Sequence, residues 1–158
     1  MDYKQQLDIW IPSNRQFSDG KPKAMDGLNE IIAHSRASKY KGARIERENV
    51  EWCAWHIVRA MRAAHWRPMD TRDRACKVGI LVTFVEVNER RDVSNIVGGG
   101  LKYVLDALSR PRGAKGGAAA IYDDSPKWIQ WMRTGVDVDP ESPGIAITVY
   151  RMEDRNEA

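Results

Sequence analysis

The sequence predicts a single α+β domain over residues 1–158, in which two main helices pack on a mixed β-sheet. Three observations lead there. The chain has 158 residues, 42% of them hydrophobic, enough for one core that buries roughly 68–70% of the unfolded surface. Apolar residues alternate with others at Val78, Ile80, Val82 and Phe84, and again at Ile145, Ile147 and Val149, the period-two pattern of half-buried strands. Val50, Ala54, Ile57, Met61 and Ala64, then Leu101, Val104, Leu105 and Leu108, recur at helical spacing. Strands separated by two helices and followed by further strands suit a mixed sheet with helices packed on it.

The elements follow in order. Leu7, Ile9 and Ile11 alternate before Pro12 and Ser13, which predicts a short opening strand and a loop. Residues 14–25 contain Ser18, Asp19, Gly20 and Pro22, all turn formers, and residues 28–34 suit a brief helix. The first main helix is predicted over residues 45–66, closed by Arg67 and Pro68. The most regular alternation predicts a strand from about Cys76 to Val87, ended by Arg90 and Arg91. A second main helix begins near Ser94 or Asn95, both good N-caps, with Gly98, Gly99 and Gly100 weakening its start. Residues 118–122, 127–133 and 145–151 read as further strands, and the tail from about residue 152 as frayed.

Composition excludes several classes. No apolar run approaches the ~20 residues of a bilayer span, and residues 1–6 lack the basic-then-apolar layout of a signal peptide. A cytoplasmic protein with no membrane partner is therefore expected. Cys53 and Cys76 match neither a disulfide framework nor a metal knuckle and read as buried thiols. His34, His56 and His65 show no zinc-site spacing, no Gly-Lys-Ser/Thr follows the glycines, and no Gly-x-Ser-x-Gly elbow is present. Zinc chemistry, a nucleotide-binding P-loop and a hydrolytic serine are all set aside. Trp52, Trp55, Trp128 and Trp131 read as core or interface aromatics, with base stacking as the other use of such rings.

Charge is uneven along the chain. Residues 1–79 hold 15 basic and 10 acidic side chains, against 10 and 12 in the remainder. Residues 36–79 alone carry 11 basic and 5 acidic, an excess that suits a polyanion or a solvated helix face. Arg59 and Arg62 lie three apart on the first main helix, spaced to reach neighbouring phosphates. Acidic residues gather after apolar segments, Asp92 beyond the strand ending near Val87 and Asp123 and Asp124 beyond residues 118–122. On adjacent strands such carboxylates would repel one another and favour a hard cation with oxygen ligands, magnesium foremost; otherwise they are ordinary turn formers. Lys102 and Asp106, four apart on the second helix, form a helical pair or turn the lysine toward phosphate.

The run Arg90-Arg91-Asp92-Val93-Ser94-Asn95-Ile96, then Leu101-Lys102-Tyr103-Val104-Leu105-Asp106-Ala107-Leu108, then Ile121-Tyr122-Asp123-Asp124-Ser125 resembles, in order and spacing, the RusA family of Holliday-junction resolvases. Ile11-Pro12-Ser13-Asn14 looks like the family's opening strand and loop, and Leu28-Asn29-Glu30 like a segment of its phage-borne members. The resemblance implies a RusA-like fold and a homodimeric endodeoxyribonuclease, dependent on magnesium or manganese, that resolves four-way DNA junctions by paired nicks. It implies Asp92, Asp124 and Lys102 as catalytic residues, with Asp92, Asp124, Ser94 and Asp123 around the metal. Charge and spacing add Arg59, Arg62, Arg90, Arg91 and Lys102 as candidate DNA contacts, with Asn95 and Asp106 as auxiliary residues. One departure stands out. The family's second motif aspartate is Ser94 here, and Gly98–Gly100 form a short insertion before Lys102. A serine hydroxyl is neutral and a poorer magnesium ligand, so the alternative is a junction-binding protein with weakened or absent turnover.

Overall fold

The computed structural model describes residues 3–70, 77–113 and 116–152. Among the described residues six strands and three helices run in the order β1 (Tyr3–Pro12), β2 (Arg15–Gln16), β3 (Pro22–Lys23), α1 (Leu28–Ala37), α2 (Lys39–Ala63), β4 (Val78–Glu86), α3 (Val93–Ser109), β5 (Ile129–Val138) and β6 (Gly144–Met152). Four strands form one mixed sheet in the order β1-β6-β4-β5. β6 pairs antiparallel with both β1 and β4, while β4 and β5 run parallel, joined through α3. The α+β architecture predicted from the alternations is thus present.

The period-two pattern explains the layering. Leu7, Ile9 and Ile11 of β1, Ile80, Val82 and Phe84 of β4, and Ile145, Ile147 and Val149 of β6 are all buried on one sheet face. Against them pack Val50, Cys53, Ile57 and Met61 of α2, and Ile96, Val104, Ala107 and Leu108 of α3, in one continuous core. Burial also pushes the Cys53 thiol above its ordinary pKa. Among the described residues no helix is long and apolar enough to cross a membrane.

Several boundaries differ from those read in the sequence. The main helix α2 starts at Lys39 because Ser38 caps it, accepting from the Lys41 amide at 2.9 Å. It stops at Ala63, before His65 takes a left-handed φ of 53°. Trp66 then turns inward and donates to the Ala120 carbonyl at 2.9 Å. The N-cap position of α3 is held by Asp92, without a side-chain capping bond, and not by Ser94 or Asn95. No strand forms over residues 118–122, since their amides have another use: Ala118 donates to the Ala107 carbonyl and Ala120 to the Leu108 carbonyl, both at 2.8 Å. These bonds satisfy carbonyls that a helix end leaves open. β5 runs on to Val138, a small β2–β3 hairpin occupies the expected loop, and Cys76 and the tail after Met152 lie outside the described residues.

The three glycines of α3 sit in its second turn and have unequal surroundings. A Cβ at Gly99 would stand 2.2 Å from the Leu28 amide nitrogen and 2.3 Å from the Gly27 carbonyl carbon, so α1 begins where α3 has no side chain. At Gly98 the closest atom is a Leu28 side-chain carbon at 3.7 Å, an ordinary contact. Gly98→Ala should therefore raise the urea midpoint, by about 0.5–1 kcal/mol of helix propensity. Gly99→Ala should lower it by about 1–3 kcal/mol through backbone overpacking.

Candidate functional site

The motif following β4 is built around an arginine directed inward. Arg91 grips Glu86 with two bonds, Nε to Oε1 at 2.6 Å and Nη2 to Oε2 at 2.8 Å. It also reaches Glu30 of α1 at 2.5 Å and the Met25 carbonyl at 2.9 Å. Burial opposes the guanidinium's charge, yet the Glu86 and Glu30 contacts prevail and hold it more firmly protonated than usual. Burial likewise works to raise the Glu30 carboxyl, and Arg91 outweighs it, leaving Glu30 below the ordinary range. Arg91, expected on DNA, is engaged inside the fold.

Its motif neighbours divide between structure and surface. Asn95 accepts from the Asn29 amide at 2.7 Å, satisfying an open donor in the first turn of α1, whose own cap residue Gly27 supplies no side chain. Asp92, Ser94, Arg90 and Lys102 are exposed. Asp106 pairs forward with Arg110 at 3.0 Å, and not back with Lys102.

The two carboxylate groups stand at opposite ends of the sheet. Asp92 holds the N-cap position of α3 just past the carboxyl end of β4. Asp123 and Asp124 lie between residues 120–121, whose amides bond the Leu108 carbonyl at the end of α3, and Trp128, whose carbonyl accepts from Val78 at the start of β4. The nine residues of β4 separate these ends by roughly 26 Å. Asp124 instead neighbours Asp123 and Asp106: burial and those two carboxylates raise its pKa above the ordinary value. Among the described residues, no group of three or more His, Cys, Asp or Glu is placed to hold a metal ion. As arranged, the residues named by the resemblance do not fit a magnesium cluster.

The basic helix face survives on the surface. Arg59 lies over the Trp55 ring at 4.5 Å from its centroid, with Trp55 53% exposed and Arg62 exposed one turn on. Trp52 stacks on Trp55 at 6.5 Å and donates to the Pro12 carbonyl at 2.8 Å, anchoring the pair to the end of β1. Burial and the charge of Arg59 lower the pKa of His56 beside them.

A polar network beneath α1 was not anticipated. Arg15 binds Asp26 through Nη2 at 2.8 Å and Asn49 at 3.2 Å, Asn49 donates to Asp26 at 3.1 Å, and the Tyr103 hydroxyl donates to the Asp26 carbonyl at 2.8 Å. Burial works to raise the Asp26 carboxyl, but hydrogen bonds from Arg15 and Asn49 outweigh it and hold it below its ordinary value. Two sequence signals point to such groups: Asn49 sits four residues from Ile45 and Cys53 on the apolar stripe, and Glu86 continues the inward alternation of Ile80, Val82 and Phe84.

Two expectations follow. Arg91→Ala strands Glu86, only 4% exposed, and should destabilise the fold by about 3–5 kcal/mol in urea melts, whereas Arg90→Ala should change it by less than about 0.5 kcal/mol. A carboxyl depressed in the folded state adds stability above its unfolded pKa, near 3.8, and loses it as pH falls through the lower folded value. The stability gap between the native chain and Asp26→Asn should therefore hold at neutral pH and shrink below about pH 4. Comparison with protein-family models, curated proteins and solved structures finds no match to this chain.

Proposed function

We propose that the chain is a binding protein for branched DNA, acting on four-way junctions as a homodimer and without turnover of its own. The observation that carries this reading is the separation of Asp92 from Asp124 across the length of β4, alongside an exposed cationic helix face. Phosphodiester hydrolysis by the family's route needs carboxylates gathered on one metal, and these are divided between two ends. Phosphate binding needs no such convergence. Arg59 stacked on Trp55 offers a guanidinium with little freedom left to lose, and Arg62 adds charge one turn on. A two-fold pair of such surfaces suits the near symmetry of a four-way junction, with register set by phosphates and not by base edges.

One observation favours the hydrolytic reading. Burial, and then the neighbouring carboxylates of Asp123 and Asp106, raise the Asp124 carboxyl, and a divalent cation would relieve that repulsion.

The test is binding and cleavage of a labelled four-way junction, with a linear duplex as control and with magnesium or manganese added or omitted. Salt-sensitive junction binding without paired nicks is expected, both for the native chain and for Ser94→Asp, because restoring that carboxylate does not bring Asp124 nearer. Arg59→Gln with Arg62→Gln should reduce the slope of log affinity against log salt by about 2. Paired nicks that vanish in Asp92→Asn and Asp124→Asn would overturn the binding reading and establish the nuclease.

A further inference from the structure

All three helices pack on one face of the sheet, and the other face carries an aromatic row at one end. Gln6, Tyr150, Gly79 and Trp131 stand in register across β1, β6, β4 and β5. The Tyr3 and Tyr150 rings lie 4.9 Å apart, and those of Tyr150 and Trp131 5.5 Å apart. Trp131 covers Gly79, where any Cβ would stand 2.2 Å from the indole, so the ring rests flat on the strand because that position has no side chain. Arg133 follows Trp131 on the same face, its guanidinium 5.6 Å from the ring centroid. With Leu81 and Met152 these side chains line a shallow concavity of about 320 Å³.

The charge on the open face at this end suits phosphate. Lys4, Lys77, Lys127 and Arg133 belong to the strand ends that meet here, where Asp123 and Asp124 lie toward α3 and Arg151 turns to the helix side over the Trp66 ring, while Glu86, Asp137, Asp139 and Glu141 gather at the opposite end. Asp8, the outward carboxylate of the next row, accepts hydrogen bonds from Gln6 and Thr148. A second copy docking through this end would bring the two basic clusters together, which disfavours self-association.

We propose that this end of the open sheet face binds an unpaired nucleic-acid strand, with bases stacking on Tyr3, Tyr150 and Trp131 and phosphates met by Arg133 and its basic neighbours. Stacking tolerates any base, because each has a π-face, and the surrounding cations follow the backbone. The site goes beyond the branched-DNA reading, which rests on α2 at the other side of the sheet, and it stands or falls separately.

Fluorescence anisotropy with a labelled oligothymidine of about 12 nucleotides, compared with a blunt duplex and with the four-way junction, tests it. Tyr150→Leu should weaken oligothymidine binding about tenfold and Arg133→Gln severalfold, while duplex and junction affinities stay within about twofold of native. Arg133 is exposed, so its variant remains informative if Tyr150→Leu melts early. Oligothymidine affinity unchanged in folded Tyr150→Leu and Arg133→Gln chains would overturn the proposal. So would a native dimer in sedimentation that Tyr150→Leu converts to monomer without any oligothymidine binding, which would assign the face to a second copy.

Discussion

Arg91 ties the carboxyl end of β4 to the start of α1. Its guanidinium joins the carboxyl end of β4 through Glu86, the start of α1 through Glu30, and the segment before α1 through the Met25 carbonyl. The charges are mostly withdrawn from water, and Coulomb attraction in such a place roughly offsets the desolvation it requires. What the contact supplies is position. With α1 held there, Asn95 can cap it, Gly99 can let it approach α3, and Tyr103 can reach the Asp26 carbonyl from below.

The same contacts give another meaning to the motif that resembles a resolvase signature. Arg91 and Asn95, which the resemblance places at a DNA-facing or catalytic edge, are occupied in joining helices, while Asp92, Ser94 and Lys102 between and after them face solvent. The stretch thus alternates residues that anchor α1 with residues free to meet a partner. An inward clamp that sets the angle of an outward-facing turn is compatible with either binding or catalysis.

The sheet organises the remainder. Because its apolar alternation puts most of the large aliphatic residues of β1, β4 and β6 on one face, the helices gather there and the other face is left mainly to aromatic and polar side chains. The antiparallel pairing of β6 with β1 and β4, and the parallel pairing of β4 with β5, then bring Tyr3, Tyr150 and Trp131 from three distant parts of the chain into one row. Two surfaces with different charge patterns result, the helix face with Arg59 and Arg62 and the basic end of the open sheet.

The sequence by itself determined the class of fold, the two main helices and the core strands, because periods of two and 3.6 are properties of local backbone geometry and show directly in which residues are apolar. Helix ends were less legible: the Ser38 cap and the inward turn at Trp66 depend on a hydroxyl and an indole finding particular backbone partners. The false strand over residues 118–122 failed for the same reason, its amides being taken by the end of α3. The roles of charged residues were decided only by the tertiary structure. Glu30 lies 61 residues before Arg91, and nothing local distinguishes an arginine that will meet phosphate from one that will meet two glutamates. Local sequence sets which face of an element is apolar, but the pairing of buried charges and the distance between Asp92 and Asp124 follow from how whole elements are stacked.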